Sequence, residues 1–455
     1  MIIKGNKTEH HHHHRTTRNR SSCDLFLFIL VTALLSSLVV ENIGGFVVVA
    51  KTQDHGTTSR NKIVNQNSLL SKTATMSPGG AATDDASTTT KQRNKIVYET
   101  IKKIQNDIIG TDAGNRGMKT LIVDDDLIDA SYVLATLPKG STVIVLSGFP
   151  CCVTQTPPTE TDGPPGTYAI ARAAYALGHT VIVVTDECNK DVFQAGLDNL
   201  SVPTFESEEG TAPPPISLEA FPSDPLNETD EQRLQDMINK CDLLISCERA
   251  GPGQDGVCYT MRGINMNEKG LIAPLHRFVT ERNNKKESKK RKDPDGDTTN
   301  TPPYAFIAVG DGGNELGMGK VLSKIIESPK ISKGELIGCA ISADYLIAAS
   351  VSNWGGYALA ATAALVKAAI STTKEKDQEA KSDKERLSYW VNRCVPTDEE
   401  EIELLNRCVK AGCRDGVSGE MEATVDGMPL ETSLQCLRDI RTAVLSCEFD
   451  NKETK

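Results

Sequence analysis

Short apolar runs alternate with helical patterns from residue 94 onward. Thr142–Leu146 and Thr180–Val184 are apolar and β-branched, and Tyr168–Leu177 between them has the apolar spacing of a helix. A strand, a helix and a second strand in this order are typical of a parallel sheet. The same criteria predict further strands at Val202–Phe205, Leu243–Ser246, Tyr304–Val309 and Leu336–Ile341. The predicted fold class is therefore α/β, a mostly parallel, doubly wound (Rossmann-like) sheet with helices on both faces in three layers.

The first 93 residues have another pattern, which predicts targeting segments and a disordered N-terminus. Residues 1–24 form a basic polar tail, and residues 25–50 contain the uncharged apolar run Leu25–Val40. Such a run suits a secretory signal peptide or a short transmembrane helix, so we expect ER routing, or membrane attachment through residues 25–40 if the segment is uncleaved. Residues 51–93 are rich in Ser, Thr, Gln and Asn, as in a disordered linker. The alternative is a transit peptide behind the signal peptide, which would direct the protein to an organelle, a plastid or a mitochondrion.

Residues 94–455 are predicted to form the globular α/β domain. Within them, residues 282–303 carry a run of Lys and Arg followed by Asp residues. A nuclear signal would use such a basic run, but a solvated insertion loop suits the acidic chain better. The net charge of −11 also argues against nucleic acid as a partner, because its binding needs clustered Lys and Arg.

The turn that follows the strand at Tyr304–Val309 combines glycine with polar side chains. Gly310–Lys320 reads Gly-Asp-Gly-Gly-Asn-Glu-Leu-Gly-Met-Gly-Lys, and helical spacing resumes after it. In an open α/β sheet, ligands bind where the carboxyl end of a strand meets a helix N-terminus. Glycines let the backbone approach a ligand and expose N–H donors. The stretch therefore predicts a ligand site, with a plain β-α turn as the alternative; it is neither a Rossmann fingerprint nor a P-loop.

Four predicted strand ends share this combination of glycine and charge. They are Thr159–Gly166, Glu248–Gly256, Gly310–Gly319 and Ser342–Gly356. Because parallel strands present their carboxyl ends at one edge of the sheet, we expect these loops to converge. Their pooled polar side chains are Glu160, Asp162, Glu248, Arg249, Asp255, Asp311, Asn314, Glu315, Asp344 and Asn353. Clustered carboxylates bind a divalent cation or divide acid and base roles between them, and capping of helices and turns is the alternative.

Other catalytic chemistries are disfavoured by the residues that the chain contains. His179 and His276 are the only histidines after residue 55, and both suit structural roles, which disfavours Ser-His-Asp and Cys-His catalysis. No Gly-x-Ser-x-Gly elbow and no Cys-x-x-Cys pair is present, so structural zinc is also disfavoured. Thirteen cysteines cannot all pair within one chain, and the adjacent Cys151 and Cys152 leave a metal or redox role open. No organic cofactor is evident.

Several of these strings are long and of low degeneracy. They are Gly148-Phe149, Glu160-Thr-Asp-Gly-Pro-Pro-Gly166, Glu248-Arg249-Ala-Gly, Tyr259-Thr-Met-Arg-Gly263, Gly310-Asp-Gly-Gly-Asn-Glu-Leu-Gly-Met-Gly319, Asp415-Gly and Val425-Asp-Gly427. Together they resemble the C-terminal domain of the D-glutamate cyclase family. The resemblance implies a hydro-lyase that converts D-glutamate to 5-oxo-D-proline with loss of water. Animal members look mitochondrial and carry an additional N-terminal domain, which residues 1–93 cannot supply.

The implied cyclisation joins the amine of glutamate to its own γ-carboxylate. A base must remove a proton from the ammonium group, and a cation or donors must polarise the carboxylate and stabilise the oxyanion. From this chemistry, we assign catalysis to Asp311, Glu315, Asn314 and Glu248. We assign substrate binding to Arg249, Arg262, Gly312, Gly313, Asp162 and Gly163.

Three of these assignments are specific. Arg249 or Arg262 would pair with the α-carboxylate of the substrate through two parallel hydrogen bonds. The N–H groups of Gly312 and Gly313 would face the oxyanion. Asp311, with Asp162, would hold a divalent metal, Mg²⁺ or Mn²⁺. The expected partner is a small acidic amino acid.

Two other functions stay open from the residues alone. The same glycine-and-acid turns suit a non-catalytic regulatory module that binds a nucleotide or an acidic metabolite. They also suit an enzyme that acts on another amino acid or on a hydroxy acid. Product formation separates the enzymes from the module.

Overall fold

Six parallel strands form the main sheet, in the order β3-β2-β1-β4-β5-β6. The strands are β1 (Thr142–Gly148), β2 (Thr180–Asp186), β3 (Ser217–Phe221), β4 (Leu243–Arg249), β5 (Ala305–Gly310) and β6 (Tyr345–Ala348). The order reverses beside β1, since the chain builds β2 and β3 on one side of this strand and β4 to β6 on the other. This arrangement is the doubly wound α/β fold, and it places a ligand-binding crevice at the carboxyl ends of β1 and β4. The predicted fold class is confirmed.

The structure is a computed structural model that describes residues 84–203, 216–292, 304–371 and 382–449. The described residues belong to one compact unit. The predictions for residues 1–83, which include the basic tail and the apolar run at 25–40, lie outside the described residues. In the described ranges, no helix is both long and apolar enough to cross a membrane.

Twelve helices surround the sheet in the described ranges. In chain order they are α1 (Asp84–Lys103), α2 (Asp126–Thr136), α3 (Pro164–Ala176), α4 (Lys190–Leu197), α5 (Glu228–Lys240), α6 (Arg277–Lys292), α7 (Leu322–Glu327), α8 (Gly334–Ile337), α9 (Ser352–Ile370), α10 (Asp383–Cys394), α11 (Asp398–Lys410) and α12 (Leu430–Leu445). A small antiparallel hairpin, β7 (Thr424–Val425) with β8 (Met428–Pro429), precedes α12. The first part of the predicted insertion at 282–303 is the end of α6, and residues 293–303 lie outside the described ranges.

Alternate residues of the strands face two apolar cores, one on each side of the sheet. Val143 and Val145 of β1 face the core that α3, α9 and α12 cover. Ile144 and Leu146 face the second core, which α5 and the start of α6 cover. A strand buried on both faces has no polar alternation, which is why β1 reads as a continuous apolar run. The predicted three layers are therefore present.

The strand predicted at Leu336–Ile341 is wrong. Its first two residues end the short helix α8, and the edge strand is β6, which pairs with β5 from Ile307 opposite Tyr345 to Gly310 opposite Ala348. Asp344 consequently lies at the amino end of β6, where its carboxylate accepts a hydrogen bond from the Phe306 N–H at 2.8 Å. The prediction that Asp344 belongs to the ligand edge is wrong for the same reason, because the strand begins after it.

The other edge strand was also misplaced. Residues 202 and 203 are not in a strand, and residues 204–215 lie outside the described ranges. The edge strand is β3, which pairs with β2 from Ser217 opposite Ile182. Most of β3 is only half-buried, so its residues lack the apolar run that identifies the central strands.

Two helix N-termini meet above the carboxyl edge of the sheet because glycines let them approach. A Cβ atom on Gly356 in α9 would lie 2.6 Å from the Cα atom of Gly166 in α3, closer than any real contact. Gly166 has the same constraint, since its Cβ would lie 2.7 Å from the Cα atom of Asn353. The crossing fixes the ends of α3 and α9 at the crevice beside β1 and β4.

Candidate active site

Five buried or nearly buried carboxylates gather at the carboxyl edge of the sheet, and we call them the acid cluster. They are Asp162, Glu248, Asp311, Glu315 and Asp426. In one group, Asp162, Asp311 and Asp426 each offer an oxygen within 4.8 Å of the others. In a second group, Glu248, Asp311 and Glu315 do the same. Asp311 belongs to both groups, so it is the centre of the cluster.

The predicted convergence of strand ends accounts for most of the acid cluster. Asp162 precedes α3, Glu248 lies near the end of β4, and Asp311 and Glu315 belong to the turn after β5. Asp426 comes from the tip of the β7-β8 hairpin. Its string contributes to the family resemblance, but no role was predicted for it, although an Asp-Gly pair between two short strands is a strong hairpin signal.

Among the described residues, Arg116 is the cationic side chain that contacts the acid cluster, and no role was predicted for it from the sequence. One of its nitrogens, Nη2, donates to Asp311, to Asp426 at 2.7 Å and to the Ser350 carbonyl at 2.9 Å. The residue lies in the glycine-rich stretch 110–117, between the helical turn that follows α1 and a short 3-10 helix. In the sequence, the one signal that could have pointed to Arg116 is a charged residue among glycines, away from any predicted strand end.

Glu315 uses both carboxylate oxygens to hold the glycine turn. It accepts hydrogen bonds from the N–H groups of Gly312, of Gly313 at 2.7 Å and of Asp311 at 3.1 Å. The donors that were predicted to face a substrate oxyanion are therefore occupied by a side chain of their own turn. We correct that assignment: Gly312 and Gly313 shape the loop that presents Asp311. Asn314 is similarly engaged, because its Nδ2 donates to the Tyr259 carbonyl at 2.7 Å.

Asp162 caps the N-terminus of α9, and Asn353 caps the N-terminus of α3. Asp162 accepts hydrogen bonds from the N–H groups of Ser352 and Asn353 at the start of α9, both at 2.8 Å. Asn353 accepts from the N–H groups of Gly163 at 2.9 Å and Gly166 at 2.8 Å at the start of α3. The partial positive charge of both helix N-termini therefore points at the acid cluster, which favours a bound anion beside it. Gly163 serves the turn, with a φ of 111° that a side chain would strain.

Glu248 is held in an uncommon backbone conformation. Its φ is 44°, and it lies where the pairing of β1 with β4 shifts from Ser147 opposite Cys247 to Gly148 opposite Arg249. The extra residue turns the Glu248 side chain toward the crevice, where its Oε2 accepts a hydrogen bond from the Ser352 hydroxyl at 2.6 Å. Strain of this kind is found at functional sites.

The assignment of Arg249 to the substrate carboxylate is not supported by its position. The side chain is 1% exposed and pairs with the buried Asp186, and Nη2 donates to the Ala273 carbonyl at 2.9 Å. The guanidinium therefore neutralises Asp186, the last residue of β2. Arg262 is exposed, and its Nη2 donates to the Val417 carbonyl at 3.3 Å. It therefore remains a candidate for binding the substrate carboxylate. Asp255 is exposed away from the cluster and accepts from the Tyr259 hydroxyl at 2.7 Å.

Asp415 holds the hairpin that carries Asp426. Its carboxylate accepts hydrogen bonds from the N–H groups of Val417 at 2.8 Å and Gly427 at 2.8 Å, and from the Thr424 hydroxyl at 2.8 Å. Burial alone would raise the pKa of Asp415, but these donors outweigh it and the pKa lies below its usual value. Asp415 is thus ionised and stabilises the hairpin, and its oxygens are occupied by these donors and not available to a ligand.

Replacing Asp415 by Ala is expected to destabilise the protein by about 2–3 kcal/mol, because several buried donors lose their acceptor. The free energy of unfolding from urea titrations measures this loss. The matched control is Asp439→Ala, since Asp439 is exposed and accepts one bond from Gln435 at 2.9 Å. We expect the control to stay within about 0.5 kcal/mol of the unchanged protein. Equal stability of the two variants would contradict a supporting role for Asp415.

Burial and mutual repulsion raise the pKa values of four members of the acid cluster: Asp162, Glu248, Asp311 and Asp426. Burial, and next the charge of Asp311, raise the pKa of Asp162 and of Glu248 well above their usual values. Burial raises the pKa of Asp311 to about 6, although the Arg116 charge opposes the rise. Burial and the Asp311 charge raise the pKa of Asp426 to about 8, again against Arg116.

The donor set fits a hard divalent cation. Carboxylate oxygens are the ligands that Mg²⁺, Ca²⁺ and Mn²⁺ prefer, and each group brings its oxygens within the 4.8 Å span of one coordination sphere. Such a cation would replace protons on the cluster, because metal ligands bind in their ionised form. Without a cation, the cluster is a set of proton carriers balanced by Arg116.

The doubly wound sheet and its polar crevice define the class of open α/β proteins that bind small ligands at the switch point of the strand order. A family model described as D-glutamate cyclase-like, C-terminal, matches residues 106–441, and the chain belongs to this family. The human mitochondrial D-glutamate cyclase is 32% identical over 349 residues, which are 74% of this chain and 51% of the human protein. The chain thus spans about half the length of this curated relative. The resemblance found in the sequence is confirmed.

Proposed function

We propose that this protein is a D-glutamate cyclase-like lyase that dehydrates D-glutamate to 5-oxo-D-proline. The observation that carries the proposal is the acid cluster with Arg116, in a chain of this family. The site offers what the cyclisation needs: proton carriers, a cationic side chain for a carboxylate, and oxygen ligands for a divalent cation. The two helix N-termini add a favourable field for an acidic substrate.

The acid cluster divides into a metal-binding part and a proton-carrying part. Asp162, Asp311 and Asp426 would hold Mg²⁺ or Mn²⁺, because their oxygens face one another. A cation there supplies Lewis acidity that polarises the γ-carboxylate of the substrate. Glu315 positions Asp311 through the glycine turn, and Asn314 holds that turn against Tyr259.

Glu248 is the proton carrier in this proposal. The α-ammonium of glutamate must lose two protons in forming the lactam, and the leaving oxygen must gain the same two to depart as water. When ionised, Glu248 can accept a proton from nitrogen and return it to oxygen, since Ser352 holds one of its oxygens and the raised pKa makes its carboxylate a stronger base. Because both protons leave in the water, Glu248 ends the turnover as it began.

Arg116 replaces Arg249 as the candidate for a substrate carboxylate. Its guanidinium is about a quarter exposed and lies between Asp311 and Asp426 at the crevice. Arg262 is the second candidate, at the rim. A guanidinium is the side chain best suited to a planar carboxylate.

The proposal is tested by incubating the purified protein with D-glutamate and L-glutamate, with and without Mg²⁺ or Mn²⁺, and measuring 5-oxoproline. Product from D-glutamate that increases with the cation is expected. Binding of glutamate without product would support the regulatory module instead. Turnover of another amino or hydroxy acid in the same assay, without turnover of glutamate, would identify a different enzyme.

Replacing Glu248 by Gln is expected to lower turnover about a hundredfold while leaving Mn²⁺ binding intact, because the amide cannot carry the proton. Steady-state rates and calorimetric titration with Mn²⁺ measure the two effects. Glu268→Gln is the matched control, since Glu268 is exposed. Full turnover in the Glu248 variant would remove this residue from the reaction.

We also propose that the protein acts in an organelle, since the human relative is a mitochondrial protein. Sequencing the N-terminus of the mature protein from its native cell tests this. A start after residue 50 is expected for a protein that lost a targeting segment. A start within residues 1–50 would contradict the transit-peptide alternative.

A further inference from the structure

Two adjacent cysteines lie beside the acid cluster, on the loop between β1 and α3. The Sγ atoms of Cys151 and Cys152 are 3.8 Å apart. The Cys151 thiol also donates to Oε2 of Glu160 at 3.3 Å. The Cys152 N–H bonds to the Pro158 carbonyl at 3.0 Å, which folds the loop back on itself and keeps the pair in place. The proposed reaction uses neither thiol.

The two sulfur atoms have different surroundings. Cys152 is half-buried, and the hydrogen bond from Cys151 and the charges of Arg414 and Arg262 lower its pKa to about 7. The bond to Cys152, burial and the neighbouring Glu160 carboxylate raise the pKa of Cys151 well above its usual value. Cys152 is therefore the thiolate of the pair and Cys151 the thiol, which is the division of roles found in reactive dithiols.

The other described cysteines have no comparable setting. Burial raises the pKa of each, and most of them are fully buried in the apolar cores. Cys188 is half-buried like Cys152, but its thiol donates to the Leu271 carbonyl at 3.3 Å. Among the described residues, reactivity toward disulfides is thus expected at Cys152.

We propose that Cys151 and Cys152 form a redox modification site, at which a low-molecular-weight disulfide such as oxidised glutathione converts the pair into a vicinal disulfide. The class of oxidant follows from the chemistry of the pair, since a thiolate attacks a disulfide directly and an adjacent thiol completes the exchange.

The exchange takes two steps. The Cys152 thiolate attacks one sulfur of oxidised glutathione, so a mixed disulfide forms and one glutathione thiolate leaves. Cys151 then loses its proton to solvent, and its sulfur attacks Cys152 of the mixed disulfide. A second glutathione thiolate leaves. The two glutathione thiolates take up two protons, the one lost by Cys151 and the one that Cys152 lost on ionisation, and become neutral thiols. The protein loses two hydrogen atoms and two electrons, and one glutathione disulfide becomes two glutathione thiols.

Oxidation changes a contact that reaches the acid cluster. The vicinal disulfide removes the thiol donor from Glu160, whose backbone neighbours are joined to Arg414: the Thr161 N–H bonds to the Arg414 carbonyl at 2.8 Å, and the Arg414 N–H bonds to the Thr159 carbonyl at 3.0 Å. The residue after Arg414 is Asp415, which holds the hairpin of Asp426. The pair is thus joined through Glu160 to the loop that supports the cluster.

The test uses oxidised glutathione on the full chain and three variants, with intact-mass measurement and peptide mapping. The unchanged protein is expected to lose two hydrogen atoms within the peptide that contains residues 151 and 152. The Cys151→Ser variant is expected to stop at a glutathione adduct on Cys152, because no second thiol can displace it. The Cys152→Ser variant is expected to react at this peptide about tenfold more slowly, since it lacks the thiolate. The control Cys188→Ser should behave as the unchanged protein does.

Two results would overturn the proposal. One is a stable glutathione adduct on the unchanged protein with no loss of hydrogen in that peptide. The other is equal reactivity of the peptide in the Cys152→Ser variant and the unchanged protein. Both measurements depend on mass alone, so their outcome does not depend on whether the protein catalyses the proposed cyclisation.

Discussion

Replacing Asp311 by Asn is expected to lower the turnover of D-glutamate by about a thousandfold, while the protein stays folded. Asp311 is the residue that both carboxylate groups share, so its loss removes a ligand from the proposed cation and a neighbour from Glu248. An amide oxygen is a weaker ligand than a carboxylate and cannot bridge in the same way. One substitution therefore weakens both the polarisation of the γ-carboxylate and the proton transfer.

The folded state should tolerate this substitution. Burial raises the pKa of Asp311 to about 6, so its neutral form is already accessible near neutral pH and an amide of the same shape resembles it. Arg116 keeps its bonds to Asp426 and to the Ser350 carbonyl. The melting temperature from circular dichroism is expected to be unchanged or higher, since repulsion within the cluster is relieved.

The rate of 5-oxoproline formation and the affinity for Mn²⁺ measure the expected loss. Asp255→Asn is the matched control, because Asp255 lies in a loop at the same edge but is exposed and outside the cluster. Turnover of the control should match that of the unchanged protein. If the Asp311 variant retained full activity, the acid cluster would not be the active site.

The metal-free protein is expected to lose stability as the pH rises from about 4 to about 8, and Mn²⁺ is expected to restore it. Burial and repulsion raise the folded-state pKa of Asp426 to about 8 from an unfolded value near 4. A carboxyl whose pKa is raised on folding contributes its stability below the unfolded pKa, and the contribution is lost as the pH rises through the folded pKa. For Asp426 alone, the loss is on the order of 5 kcal/mol.

A divalent cation reverses this dependence. Its ligands must be ionised, so cation binding becomes stronger as the pH rises and adds free energy to the folded state through linkage. The stabilisation by Mn²⁺ is therefore expected to be small at pH 5 and large at pH 8. Arg116 offsets only part of the repulsion, because one guanidinium faces several carboxylates.

Melting temperatures of the protein in EDTA and in Mn²⁺, measured between pH 5 and 8.5, test both the loss of stability with pH and its reversal by the cation. The Asp426→Asn variant is the internal reference, because it keeps the other titrating groups, including His179 and His276, whose pKa values burial lowers. The difference between variant and unchanged protein in EDTA should grow with pH, in favour of the variant. A difference that is independent of pH would contradict the raised pKa of Asp426, and no effect of Mn²⁺ at pH 8 would contradict the cation site.

The central strands could be predicted because burial on both faces removes polar residues from them. The apolar runs at Thr142, Thr180, Leu243 and Tyr304 correspond to β1, β2, β4 and β5, with ends that agree within three residues. The edge strands could not, because β3 is half-exposed and β6 has only four residues. For β6, a neighbouring apolar stretch misled the prediction, and only pairing with β5 distinguishes the two segments.

The same contrast holds within the site. Asp162, Glu248 and Asp311 could be placed together, because each lies at or after the carboxyl end of a strand that the parallel sheet fixes. Arg249 also lies at a strand end, but successive residues of a strand point to opposite faces, and this one pairs with the buried Asp186 at the end of β2. Arg116 and Asp426 could not be placed, since neither follows a strand of the main sheet.

By itself, the sequence determined that the chain contains an α/β domain of the D-glutamate cyclase-like family and that glycine and carboxylate residues are concentrated in its strand-end turns. These are local properties, because apolar periodicity and glycine-acid strings depend on residues that are neighbours in the chain. The tertiary structure decided which charges meet: Arg116 and Asp426 join Asp311, 195 positions away in one case, while Arg249 is withdrawn to Asp186. Coulombic pairing and burial act through space over a few ångströms, so only the folded chain settles which carboxylates share a site.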